Sequence, residues 1–200
     1  MQNAPTKNAS RGKVETARVL FGAYRPSSEC RTGGASVNLK QIQSWVDATP
    51  ESITARVALA HVYVNYAWDA RGVGTSDTVS KDGWGLFGKR LEKAKTVLDD
   101  SAALPAKCPE SYLVMQQIAL GPGSDSAQAE NLLETATAFA PDSYYYRAFA
   151  RYMMPQWNGE DGEAANFATE VADRIGGDAG DMLYFQVASK SCVPVISLSS

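Results

Sequence analysis

Punctuation constrains this chain more than anything else: proline or glycine recurs between stretches whose apolar residues step by three and four. Leu39, Ile42, Trp45 and Val46 form one such stripe, closed before Thr49-Pro50. Pro50-Glu51-Ser52 restarts a helix at its first turn, where the missing N–H costs nothing. Ala55, Leu59, Val62, Tyr63 and Tyr66 then follow one face to about Ala70, and Gly72 and Gly74 stop it. Leu86 to Leu98 gives a long amphipathic helix. Pro109-Glu110-Ser111 resets the pattern for Tyr112 to Leu120, and Gly121-Pro-Gly-Ser-Asp breaks it again. Further stripes cover Ala129–Phe139, Tyr144–Met153, Ala165–Ile175 and Asp178 to about Lys190. Alternation with a period of two, the mark of a strand, is nearly absent. The expected fold is all-α, a stack of antiparallel helix hairpins with irregular repeats.

The rest of the chain is placed around that array. Residues 1–36 read as a polar tail with a short apolar patch (Val14 to Phe21) and a loop at Arg31–Ser36. Residues 37–190 read as the helical domain and 191–200 as an extended tail. A chain of 200 residues buries about 70% of its unfolded surface, and 44% hydrophobic with 20% charged residues is an ordinary globular composition. Disorder, collagen and a membrane-spanning chain are excluded. Net charge is −3, which argues against a general nucleic-acid binder. It is unevenly spread, +4 over residues 1–100 and −7 over 101–200. Cys30, Cys108 and Cys192 are odd in number and far apart, and read as small buried hydrophobes. The polar start is compatible with a cytoplasmic N-terminus or with a mature one after leader removal.

The array approaches a repeat without keeping it strictly, and the first-helix signature of a repeat is poor throughout, with Leu and Gln where Trp and Leu are expected. The prolines at 109 and 141 lie 32 residues apart, close to the 34-residue tetratricopeptide (TPR) unit. Ala129, Leu133, Ala136 and Pro141 stand at offsets zero, four, seven and twelve, where that unit places small, large, small and proline. Small residues let two helices approach, the large one fills the gap, and proline ends the helix. Ala94, Leu98, Ser101 and Pro105 fit a looser, earlier unit. Two strings add a resemblance: Ala67-Trp68-Asp69-Ala70-Arg71-Gly72-Val73-Gly74 and Tyr152-Met153-Met154-Pro155-Gln156-Trp157-Asn158-Gly159 resemble hallmarks of a bacterial family of TPR-like proteins catalogued as a domain of unknown function. The similarity extends from about Trp45 to Val187 and includes Ile175-Gly176-Gly177-Asp178. Asn158 departs from the aromatic or small residue expected there. The resemblance implies a helical stack and no activity.

No catalytic, cofactor-binding or metal-ligating constellation emerges, and the chain reads as leaning away from an enzyme. His61, the one histidine, has no His or Cys at i+4. Arg71-Gly72-Val73-Gly74 follows a helix and lacks phosphate-loop spacing, although it is one place a small anion would sit. Asp99-Asp100 and Glu130/Glu134 read as solvated faces. Asn158 or Asp161 is expected to cap the following helix.

Tyr144, Tyr145 and Tyr146 cannot share one helical face, and with Arg147 and Arg151 they supply residue types enriched at binding hot spots. The expected function is a non-enzymatic protein- or peptide-interaction module using the concave face, with Tyr63, Tyr66, Arg71, Tyr144, Tyr145, Arg147 and Arg151 as candidate binding residues. Trp68, Trp157, Ala129, Ala136 and Pro141 are expected to be structural. The alternative is a small-ligand binder or enzyme with a pocket near Tyr66, Trp68, Arg71 and Trp157. If the two tryptophans are scaffold, Trp68→Ala and Trp157→Ala each cost about 3–5 kcal/mol in chemical denaturation. Losses under about 1 kcal/mol at both would assign them to a site instead.

Overall fold

The computed structural model describes residues 34–141 and 143–191. Among these the chain forms helices and no strand: α1 Gly34–Ala48, α2 Ile53–Arg71, a 3-10 turn Ser76–Thr78, α3 Lys81–Ser101, α4 Glu110–Ile118, α5 Ser126–Phe139, α6 Ser143–Tyr152, α7 Glu163–Ile175 and α8 Gly177–Ser191. The all-α expectation therefore holds for the described residues. The apolar patch at 14–21, Cys30, Cys192 and the 191–200 tail, apart from Ser191, lie outside them.

Helix boundaries follow the punctuation through identifiable hydrogen bonds. The Ala55 N–H donates to Ser52 Oγ at 3.3 Å and the Gly83 N–H to Ser80 Oγ at 3.0 Å, so each serine satisfies an orphan donor of its helix. Asp125 does the same for α5, its Oδ1 accepting from the Ala127 N–H at 3.1 Å. Gly72 ends α2 at φ 76°, a left-handed conformation that a Cβ disfavours, and its N–H donates to the Trp68 carbonyl.

Several boundaries differ from the sequence reading. Ser52 is the N-cap of α2, so Pro50 precedes that helix and is not in its first turn, and α3 begins at Lys81, ahead of the stripe read from Leu86. The loop expected over Arg31–Ser36 gives way to α1 from Gly34 onward; a glycine costs a helix only about 1 kcal/mol, and Ala35 and Ser36 carry nothing that breaks one. Neither Asn158 nor Asp161 caps α7. Its N-cap is Gly162, in the left-handed region with no side-chain cap, and the carboxylate of Glu163 reaches back to accept the Glu160 N–H at 2.9 Å.

The helices form two rows. In one, α2 touches α4, α4 touches α6 and α6 touches α8; α3, α5 and α7 pack against these from the other side, each between its sequence neighbours. The residues that make this second row possible are small. Ala94, Leu98 and Ser101 on α3, Ala129, Leu133 and Ala136 on α5, and Ala164, Ala168 and Val171 on α7 are all buried. Each trio has the same offsets of zero, four and seven, and the trios begin at 94, 129 and 164, 35 positions apart.

The core is correspondingly divided. Val57, Val64, Phe87, Leu91 and Val114 form a first cluster, and Leu120, Leu133, Tyr145, Phe149 and Tyr152 a second. Ala150, Val171, Leu183 and Val187 form a third. Trp68 packs against both of the first two. Tyr145 also ties elements together: its hydroxyl donates to the Pro109 carbonyl at 2.9 Å, and its own carbonyl accepts from Gln116 Nε2 at 3.0 Å. Tyr145 is thus a core residue, 2% exposed, which corrects its assignment to the binding surface.

Glycines give a paired test of this packing. A Cβ on Gly180 would collide with the Ala172 carbonyl, whereas one on Gly85, within α3, meets nothing within 4 Å. Gly180→Ala is expected to cost about 1–3 kcal/mol and Gly85→Ala to add about 0.5–1 kcal/mol. Urea denaturation of the two variants reads both, and equal effects would refute the close approach of α7 and α8.

Candidate functional site: two arginines among three indoles

Where α2 ends, Gly72 turns the chain away and leaves Arg71 on the last helical turn. Its guanidinium carbon lies 5.5 Å from the Trp68 ring centroid, 5.2 Å from Trp84 and 5.4 Å from Trp157. Trp84 comes from the first turn of α3 and Trp157 from the α6–α7 connection. A second guanidinium enters from α6. Arg151 lies 5.6 Å from the Trp68 ring and 5.2 Å from that of Trp157. Both cations therefore sit on the same two indoles. Those indoles meet edge to face at 5.2 Å, and Trp68 makes a second such contact with Phe87 at 4.9 Å. Edge-to-face pairs contribute roughly 0.5–1.5 kcal/mol beyond their area. Cation–π contacts add about 0.5–1 kcal/mol when exposed and about 2 when desolvated.

The two arginines are anchored differently. Arg71 Nη1 donates to the carbonyls of Gly72 at 3.3 Å and Gly74 at 3.1 Å, so the glycine turn holds this side chain in place. Its Nε is buried without an acceptor. The Arg151 guanidinium carries no hydrogen bond or ion pair to a described residue, and the side chain is exposed. Partial desolvation holds its guanidinium below the ordinary arginine range, and the neighbouring Arg71 charge pushes the same way. The one carboxylate–ammonium pair identified among the described residues, Lys95 with Asp99 at 2.6 Å on α3, is exposed and belongs to a different set of side chains.

The remaining predicted residues are distributed along the molecule. Tyr144, Arg147 and Arg151 are spaced three and four apart, so they share one face of α6. Arg147 lies 5.1 Å from the Tyr144 ring, and Tyr144 is 46% exposed. Tyr66 is covered by Arg90, whose guanidinium carbon is 3.3 Å from the ring centroid while its Nη1 donates to the Tyr66 carbonyl. Tyr63 is half-buried against the first cluster, with the Lys93 ammonium 5.9 Å from its ring. Of the four residues proposed for an enclosed pocket, three come together and Tyr66 is engaged elsewhere.

Trp84 and Arg90 were missed from the sequence. Trp84 could have been found, because it stands one turn into a helix that begins seven residues after the Arg71–Gly74 turn. An open concavity of about 660 Å³ between α3, α4 and α5, lined by Leu91, Tyr112, Met115, Ile118 and Leu132, contains none of the five cluster residues. No group of three or more His, Cys, Asp or Glu side chains with metal-binding proximity occurs among the described residues, and no described helix is long and apolar enough to cross a membrane.

The Ala67–Gly74 and Tyr152–Gly159 strings are separated by 77 residues in the chain, yet they meet here: Trp68 and Arg71 from the first touch Trp157 of the second. Pro141, after α5, is exposed, while Ala129 and Ala136 are buried. Compared with protein-family models, with curated proteins and with solved structures, the chain has no match.

His61, the other titratable group singled out, is held below the ordinary histidine range by burial. As pH falls, the unfolded chain takes up a proton near pH 6.5 before the folded imidazole does. The unfolded state then binds more protons, so this contribution to stability is present above the unfolded value and declines as pH falls through it. Urea denaturation at pH 7.5 and 5.5 is expected to show a larger loss in the wild type than in His61→Asn, and identical losses would refute it.

Proposed function

We propose that this chain is a non-enzymatic recognition module, an irregular TPR-like stack that binds a protein or peptide segment along α6 and the Trp/Arg cluster at its end. The repeat reading is supported by the 35-residue recurrence of the buried small–large–small trio and by the row α2–α4–α6–α8, which has α3, α5 and α7 behind it. Units of this kind cannot bury their apolar faces singly and offer a continuous surface once stacked. On this reading the two strings similar to the TPR-like family are the parts that join non-adjacent helix pairs.

One observation carries the interaction reading: Tyr144, Arg147 and Arg151 run down one face of α6 into Trp68, Trp84, Trp157 and Arg71. Tyrosine, tryptophan and arginine are the residues that dominate binding hot spots, because they combine area with few rotatable bonds and planar donors. The stripe is cationic, so an acidic segment is the complementary partner.

Selection of random dodecapeptides on the immobilised chain is expected to enrich sequences rich in Asp and Glu. Affinity of a selected peptide, measured by fluorescence anisotropy, should fall at least tenfold in the Tyr144→Ala/Arg147→Ala double variant and remain unchanged in Glu170→Gln, on the exposed side of α7. Failure to enrich any sequence, or equal binding by the double variant, would overturn the reading.

A further inference from the structure

We infer that Arg71 and Arg151 together form a receptor for a single oxyanion, the carboxylate or phosphate group of an acidic peptide, held at the shared Trp68–Trp157 surface. This deepens the recognition-module reading and rests on it for the identity of the partner.

The geometry supports the pairing. Two side chains from different elements, the end of α2 and the end of α6, are brought to the same two rings, at 5.5 and 5.4 Å for Arg71 and at 5.6 and 5.2 Å for Arg151. Like charges placed this way repel, and Arg151 is exposed, so the pair is open to an anion from solution. Proteins ordinarily offset such an arrangement with a carboxylate, yet neither guanidinium has an ion pair with a described residue.

Donor capacity points the same way. Each guanidinium has five N–H donors in a planar fork. Arg71 spends only Nη1, on Gly72 and Gly74, which fixes the fork without saturating it. The Arg151 guanidinium has no hydrogen bond to a described residue, and its partial desolvation with the nearby Arg71 charge disfavours its charged form. An oxyanion with two or three acceptor oxygens would accept from both forks at once and convert mutual repulsion into two charge-assisted contacts. A lysine pair would lack the fork. The three indoles would in turn offer an apolar surface to the group that carries the anion.

The test is thermal unfolding of the full chain at pH 7 and constant ionic strength, with chloride replaced by inorganic phosphate in one arm and acetate in the other. At an anion concentration tenfold above its dissociation constant, linkage predicts a wild-type melting temperature about 3–6 °C higher than in chloride. Arg71→Gln and Arg151→Gln should each lose that increment, and Arg151→Lys should retain only part of it. Because the readout is the increment, a variant that starts from a lower melting temperature still reports.

An increment in phosphate alone assigns the site to a phosphorylated side chain, and one in acetate alone to Asp, Glu or a chain-terminal carboxylate. An increment in both assigns it to either group. Equal increments in the wild type and both Gln variants would mark a general salt effect and overturn the receptor. The two proposals fail separately: an Arg-dependent increment without peptide selection leaves the anion site and removes the peptide partner. Peptide selection without an increment does the reverse.

Discussion

The Trp68 indole ties the first two hydrophobic clusters together, because it packs against both at once. It packs against the Val57–Phe87–Val114 set and against the Leu133–Tyr145–Phe149 set, and its ring edges meet Phe87 and Trp157. Helix pairs that contact only their neighbours stack with limited cooperativity. A single large side chain spanning two such clusters couples them, so the α2–α3 pair and the α4–α6 region report on one another. That coupling depends on Gly72: its φ of 76° ends α2 directly after Arg71 and turns the chain toward α3, which delivers Trp84 to the same place.

The second row of helices depends on a different constraint, the small residues at its buried positions. Ala94, Ala129, Ala136, Ala164 and Ala168 allow α3, α5 and α7 close approach to their partners. Larger residues fill the intervening offset where there is room, as Leu98 and Leu133 do. In the α7 unit the middle position is Ala168 and the last is Val171, so the large and small roles are exchanged. The neighbouring α8 comes in so tightly that Gly180 lies against the Ala172 backbone. The unit is preserved in spacing while its volumes are redistributed. For this reason the period was visible in the sequence at 129–141 and weak elsewhere.

Local signals with one dominant cause were legible in the sequence. Proline at 50 and 109, the Gly72 stop and the Gly121–Asp125 break each fix a helix boundary through backbone chemistry that no tertiary contact reverses. Signals that depend on helix phase were harder to read. Three consecutive tyrosines offer three candidate faces, and Tyr145 was read as surface. Yet Tyr145, Phe149 and Tyr152, spaced four and three, define the buried stripe and leave Tyr144, Arg147 and Arg151 outside. The α7 cap was misread because Asn158 and Asp161 are strong cap formers in isolation, whereas a left-handed Gly162 and the back-reaching Glu163 already end the loop. The meeting of Trp68, Trp84 and Trp157 is non-local, and no spacing rule within one helix contains it.

Net charge proved a poor guide to the site, for a reason of length scale. The chain is acidic, and residues 101–200 carry −7, yet Arg151 comes from that half and joins Arg71 from the basic half. Screening in physiological salt limits exposed charges to about 8 Å of reach, so carboxylates spread over the remaining surface do little to neutralise two guanidinium groups at a shared aromatic surface. What those groups experience is set by the rings they touch and by each other.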